Sequence, residues 1–459
     1  MGKRTRVVAL VAGLVFIAVQ PLVPVGSASA AVKTAVKKAS KSGVKTKQYG
    51  PNKTKATPFS AVDGPYADFV RAVGADLDLF WSTEMPTTYR QSYNGLLGFY
   101  PYSTEVLPPN CGRVRIPSYE AIQGNAFYCR ESDYIAFDNE ELFPQVYEQF
   151  GSSALGVILA HEFGHAVQAR TTTVLSGVLV ETQADCFSGA WLKRVSTGAS
   201  PTIAIPPADL DSILQAVLTF RDTPGTGAAA LGAHGTGFDR ISGLQLGYDF
   251  GTARCAAFGK NPPVVVAKQF EGQERVNRGN VPYADALEIG ARTTDQFFRA
   301  TFPEIGNGAA VVATDPATVA AVPTTCPGGI TIFGELLAVC PGDATNQAKI
   351  FYSAERMRRV YDRFGDAAVG YVHSLGWATL LAMRQGRETS VNSTAGEARV
   401  ICLAATWYRW FGSGTVETLS AGDLDEGIRV ALGVQGQAAS FDRVRSLRLG
   451  FEKGAAACG

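Results

Sequence analysis

Two histidines four residues apart, with a glutamate directly after the first, are the residues in this chain best spaced for chemistry: His161-Glu162-Phe163-Gly164-His165. On a helix, positions i and i+4 share a face, so His161 and His165 can point two imidazole nitrogens at one metal ion while Glu162 stands beside it. A catalytic zinc takes three protein ligands and a water, and a carboxylate within reach takes the proton of that water as it attacks a carbonyl. Glu162 is the expected base. Sixteen residues after His165 comes Glu181-Thr182-Gln183-Ala184-Asp185, in which Glu181 is the candidate third ligand. Asp185 lies one helical turn further on, where it could accept the second-nitrogen proton of a ligand His and fix that ring's tautomer. With four His in 459 residues, the pentapeptide and its two following carboxylates would be a rare accident.

These side chains need a rigid support. Residues 154–160 are apolar on every face apart from Gly156, which predicts a core helix carrying the His pair, with Ser152 or Ser153 as its N-cap. Upstream, residues 113–117 and 134–137 read as short strands. The second is either a sheet edge, open to an extended peptide by strand addition, or an ordinary internal strand. His234, in Ala233-His234-Gly235-Thr236, is the other His of this half. It is either the donor that steadies a tetrahedral oxyanion or a structural donor in a glycine-flanked loop.

The chain repeats itself. Pro65-Tyr66-Ala67-Asp68 recurs as Pro282-Tyr283-Ala284-Asp285, and Val146-Tyr147-Glu148-Gln149-Phe150-Gly151 as Val360-Tyr361-Asp362-Arg363-Phe364-Gly365. Cys186 and Trp191 match Cys402 and Trp407, and Phe238-Asp239-Arg240 with Leu246-Gly247 matches Phe441-Asp442-Arg443 with Leu449-Gly450. A repeat that closes its own bridges leaves three pairings per half, and the favoured set is Cys111 with Cys129, Cys186 with Cys255, Cys326 with Cys340 and Cys402 with Cys458. The second copy lacks the chemistry. His161, Glu162 and His165 correspond to Leu375, Gly376 and Thr379, Asp185 to Ile401 and His234 to Gln437, so that Glu397 alone persists, in place of Glu181. One zinc per chain is expected, and His373 reads as a lone core or surface residue.

Residues 1–30 combine Lys3, Arg4 and Arg6, an apolar run from 7 to 19, and Ala28-Ser29-Ala30. This is the pattern of a cleaved secretory signal, with an uncleaved anchor as the alternative, and no later run has the length of a membrane helix. From 31 to 58 there are eight Lys and no acid in a setting that cannot bury a core. That stretch reads as a solvated tether, either adhering to an anionic cell-envelope polymer or serving as a spacer. A formal net charge of +1 excludes the basic field that nucleic acid requires. Eight cysteines in an exported chain point to four disulfides and a secreted protein. The expected organisation is a signal at 1–30, a tether at 31–58, a catalytic domain at 59–262 and a degenerate repeat at 278–459.

His161 to Gln168, Glu181 to Trp191 and His234-Gly235-Thr236, with Asn125-Ala126-Phe127-Tyr128-Cys129 upstream, resemble the neutral zinc metallopeptidase family. The resemblance covers roughly residues 65–255, and departs from the family pattern in Asp239, where a glutamine is usual before the arginine, and in the duplication. It implies an α+β, mainly helical zincin fold, here two tandem zincin-like domains of which the second lacks the metal site. It also implies His161, His165 and Glu181 on zinc, Glu162 as base, and a protein or peptide substrate. A non-catalytic surface-binding protein with a structural zinc is the competing expectation, and the intact Glu162 speaks against it because a structural site has no use for a base.

Overall fold

The computed structural model describes residues 47–48, 62–343, 346–387, 391–413 and 418–459. The expected signal and nearly all of the tether lie outside the described residues. The chain divides into two compact units, the first of residues 1–220 and 243–262 and the second of residues 221–242 and 263–459. The sequence reading assigned 59–262 to one domain; by its contacts, the segment 221–242 groups with the second unit.

The first unit opens, after a two-residue strand β1 (Lys47–Gln48), with helix α1 (Ala67–Tyr89). Val70, Val73, Leu77, Phe80 and Trp81 recur on one buried face of α1 at helical spacing. Strands β2 (Gly98–Tyr102), β3 (Val106–Leu107), β4 (Ala126–Cys129) and β5 (Tyr134–Asp138) follow, and β1 pairs with β3 apart from the others. The main sheet has the order β2-β5-β4, with β2 parallel and β4 antiparallel to β5. Tyr134–Asp138 is thus the central strand, hydrogen-bonded on both sides, and strand addition there is ruled out; β2 and β4 are the edges. Residues 113–117 form no strand, only a bridge between Cys111 and Val114, and the Ile116 N–H is taken by Asn110 Oδ1 and not by a neighbouring strand. Tyr102, Phe127, Tyr134 and Ile116 belong to one buried cluster.

Helices α2 (Leu142–Phe150), α3 (Ser152–Arg170), α4 (Val178–Ser196) and α5 (Leu210–Thr219) complete the unit, with the later residues of α6 (Gly237–Ala256). α3 is buried all round from Ser153 to Val167, as its uniformly apolar sequence requires. Its N-cap is Gly151 and neither serine caps it: the Ser153 hydroxyl instead donates to Asp209 Oδ2 at 2.6 Å. α3 and α4 approach closely at Gly164, where a Cβ would stand 2.8 Å from the Ala184 Cα. No side chain fits there.

The second unit runs through α7 (Tyr283–Thr301), β6 (Ala309–Thr314), α8 (Pro316–Thr325), β7 (Ile330–Ile332), β8 (Leu337–Cys340) and β9 (Ala348–Ser353). Helices α9 (Ala354–Phe364), α10 (Asp366–Arg384), α11 (Thr394–Phe411), α12 (Asp423–Gly433) and α13 (Ser440–Lys453) follow. Its sheet has the order β6-β9-β8-β7, with β6 parallel to β9 and the other pairs antiparallel. The fold is α+β and mainly helical, with small mixed sheets. Disulfides join Cys111 to Cys129, Cys186 to Cys255, Cys326 to Cys340 and Cys402 to Cys458, the pairs expected from the repeat. Among the described residues no helix is long and apolar enough to cross a membrane.

Candidate metal centre

α3 presents His161 and His165 on one face and α4 presents Glu181 opposite them. The two imidazole Nε2 atoms lie 3.2 Å apart, and Glu181 Oε2 is 3.3 Å from His161 Nε2 and 3.6 Å from His165 Nε2. All three residues are buried, and their donor atoms lie within 4.8 Å of one another. The far side of each ring is engaged. His161 Nδ1 meets Asp185 Oδ1 at 2.7 Å, and His165 Nδ1 meets Gln168 Oε1 at 2.8 Å. With acceptors at both Nδ1 atoms, the protons sit there and the Nε2 lone pairs face Glu181.

The donor set fits a zinc ion. Two neutral imidazoles and a carboxylate are ligands that zinc accepts, and Glu181 Oε2 is fully buried without a hydrogen bond, which is costly unless a cation meets it. Electrostatics point the same way. Burial opposes charge on the His165 imidazole, yet the adjacent Glu181 carboxylate pushes it up; burial likewise opposes charge on Glu181, yet His165 and His161 hold its carboxyl well below the usual range. Glu162 is wholly buried on the same helix, near enough to add to the negative potential at His165.

Gln168 is a residue to which the sequence reading gave no role. It orients His165 through Oε1, while its amide nitrogen donates to the Val180 carbonyl at 2.7 Å and to Gln183 Oε1 at 3.1 Å, tying α3 to the start of α4. Its position three residues after a ligand His was the available signal. His234 belongs to the second unit, on a loop in which the main-chain N–H groups of His234 and Gly235 both donate to Asp222 Oδ2 at 2.8 Å. Its Nδ1 is 3.5 Å from Asp222 Oδ1, and its Nε2 is buried without a hydrogen-bond partner.

His165 also lines a cleft of about 560 Å³ in the first unit, together with Tyr128, Arg130, Val174 and Leu175. The second unit has a larger cleft, about 1040 Å³, walled by Phe297, Trp410 and Phe451, but no group of metal-ligating residues among the described residues lines it.

At the positions corresponding to the cluster, the second unit is built differently. Leu375 is buried, and a Cβ on Gly376 would stand 2.5 Å from Ile350 Cγ2, so the room a glutamate would need is filled. Glu397 remains, 3.6 Å from Arg443 Nη1 and accepting the Gln437 N–H. His373 is a core residue packed on Tyr352, with burial pushing its imidazole down to about 4. Asp366, Asp423 and Glu426 also converge, but each accepts backbone N–H groups, from Val281 and Ala367, from Ser420 and from Ala368 respectively, and burial pushes all three carboxyls up. Their role is to satisfy backbone donors, among them those at the start of α10.

No family profile matches the chain, and no solved structure matches it. The chain is similar to an uncharacterized protein of Mycobacterium tuberculosis, 28% identical over an alignment of 214 residues that covers 40% of this chain and 67% of that protein, and equally to one of Mycobacterium bovis. It is also similar to the uncharacterized protein YpfJ of Escherichia coli, 24% identical over 242 residues, 47% of this chain and 76% of that protein.

Proposed function

We propose that this chain is an exported zinc-dependent peptidase of the neutral zinc metallopeptidase kind, with a zincin-like catalytic first unit and a zincin-like second unit that has lost the metal site. The observation that carries the reading is the convergence of His161, His165 and Glu181 with a buried Glu162 on the ligand helix. Zinc, when bound, supplies a Lewis acid that makes a bound water acidic near neutral pH. Glu162 takes the proton of the attacking water and returns it to the leaving amine, the ordinary work of a general base that becomes a general acid. Asp185 and Gln168 hold the two imidazoles in the tautomer that leaves Nε2 free to ligate. The Lys-rich stretch is proposed as a tether to an anionic envelope polymer.

The reading as an enzyme is favoured over a structural metal site by ligand number. A structural zinc is closed by a fourth protein ligand, whereas this cluster has three among the described residues and the neighbouring Asp185 is engaged by His161. Four disulfides support passage through an oxidising compartment. The test is cleavage of a mixed peptide library with and without a chelator, alongside Glu162→Gln. That variant should fold and hold zinc as the parent does while turnover falls at least about 100-fold, since only proton transfer is lost. Cleavage by Glu162→Gln at the parent's rate would refute the mechanism.

A further inference from the structure

The cleft beside His165 has a charge pattern that the proposed chemistry does not require. Apart from His165, Arg130 is its charged lining residue, and no carboxylate lines it. Arg130 directly follows Cys129, the last residue of β4, and the Cys111–Cys129 disulfide pins that end of the strand. Its side chain is exposed, and among the described residues it has no acidic partner.

The acids close to it in sequence face elsewhere. Glu131 accepts the Arg113 backbone N–H at 3.2 Å. Asp133 is held by the Arg170 guanidinium at 2.6 Å and also accepts the Tyr128 hydroxyl at 2.8 Å. Glu181 lies in the ligand cluster. A lone surface arginine is ordinary, but this one stands on a disulfide-braced strand end at the wall of the concavity that contains a candidate ligand. A charge on such a wall adds a positive contribution to the potential a ligand meets there. A planar guanidinium also matches a carboxylate in two parallel hydrogen bonds. Val174 and Leu175 add apolar surface to the same cleft, which suits the stem of a side chain and not a second charge.

Resting on the peptidase reading, we propose that the cleft selects peptides with an aspartate or glutamate close to the bond to be cut, and that Arg130 is the specificity-determining residue. Binding and turnover separate this claim from the one beneath it. Zinc-loaded Glu162→Gln protein is titrated with fluorescent peptides that differ only in carrying Asp or Glu, Asn or Gln, or Lys at each position in turn. The acidic peptides should bind about threefold to tenfold more tightly than their neutral partners at low salt. Arg130→Ala should remove that difference, Arg130→Glu should reverse it in favour of Lys, and about 0.5 M salt should shrink it in the Glu162→Gln protein without any change at Arg130.

Equal affinity for acidic and neutral peptides, or a preference that survives Arg130→Ala, overturns the assignment whether or not the protein cuts peptides. Indiscriminate cleavage by the parent, lost in Glu162→Gln, would leave the peptidase reading intact and remove the specificity claim. Acidic preference in binding with no cleavage of any peptide would do the reverse.

Discussion

At the residue scale, what His161 can bind through one nitrogen depends on what it meets at the other. Asp185 Oδ1 at 2.7 Å keeps the proton on Nδ1 and raises the basicity of Nε2, and Gln168 does the same for His165 with a neutral acceptor. The two histidines therefore differ in their support, one backed by a carboxylate and the other by an amide. A different buried carboxylate offers a pH test. Asp239 accepts from the Thr236 N–H and hydroxyl and from the Val266 and Ala267 N–H groups, yet burial pushes its carboxyl up to about 6. An unfolded aspartate ionises near 3.9, so between that value and about 6 the unfolded chain has lost a proton the folded chain keeps. The sign follows: this contribution to stability is full below about pH 4 and is lost as pH rises through 6, by up to about 3 kcal/mol. Asp239→Asn cannot ionise. Urea unfolding at pH 4 and pH 7 should show the parent losing stability relative to Asp239→Asn over that interval, and a difference that stays constant or moves the other way would refute the assignment.

At the element scale, the site depends on how closely α3 and α4 can pack. Glu181 reaches the histidines of α3 because Gly164 lets the Ala184 backbone come within van der Waals range. A similar device locks the far side of α4. A Cβ on Gly247 would stand 1.7 Å from the Cys186 carbonyl oxygen, and the Cys186–Cys255 disulfide ties α4 to the helical stretch that follows the break at Gly251. With a sequence separation of 69, that bridge is worth about 4 kcal/mol in the chain-entropy account. The second unit repeats the arrangement, with Gly450 against the Cys402 carbonyl and the Cys402–Cys458 bridge. Gly164→Ala should cost about 1–3 kcal/mol, as overpacking at a backbone contact does, and should weaken zinc binding because α4 carries the third ligand. Thermal melts and competition with a chromogenic chelator would check this; a variant that melts and binds as the parent does would show that the helices have slack.

At the scale of the whole molecule, the repeated sequence folds into two units that each set helices against a small mixed sheet, but they differ in sheet size and in their sets of possible metal ligands. The second unit cannot recover the site by a single substitution. Ile350 fills the volume beside Gly376, Leu375 and Thr379 stand in the ligand positions, and Glu397 is engaged by Arg443 and Gln437. One carboxylate does not hold zinc at the affinity three ligands give. Elemental analysis should therefore find one zinc per chain, removed by a chelator together with activity, while the disulfides and much of the thermal stability remain. Two zinc ions per chain would mean that the second unit binds metal through residues other than those matching the first.

What could be read from the sequence was local or repeated. The His-Glu-x-x-His spacing and the later Glu and Asp work through helical periodicity, which needs only that α3 and α4 form, and uniform apolarity is enough to place α3 in the core. The disulfide pairs were legible because a repeated chain poses the same pairing problem twice. Tertiary structure decided the rest. Strand order made Tyr134–Asp138 central and put β2 and β4 at the edges, which no pattern within one strand encodes because pairing is set by partners elsewhere in the chain. Ser153 was drawn from its helix end by Asp209, 56 residues away in sequence. Residues 221–242, with His234, pack by their contacts with the second unit, and folding brought Arg130 and His165 to the lining of one cleft. In each case the deciding contact joins residues far apart in sequence, where local propensity carries no information about the partner.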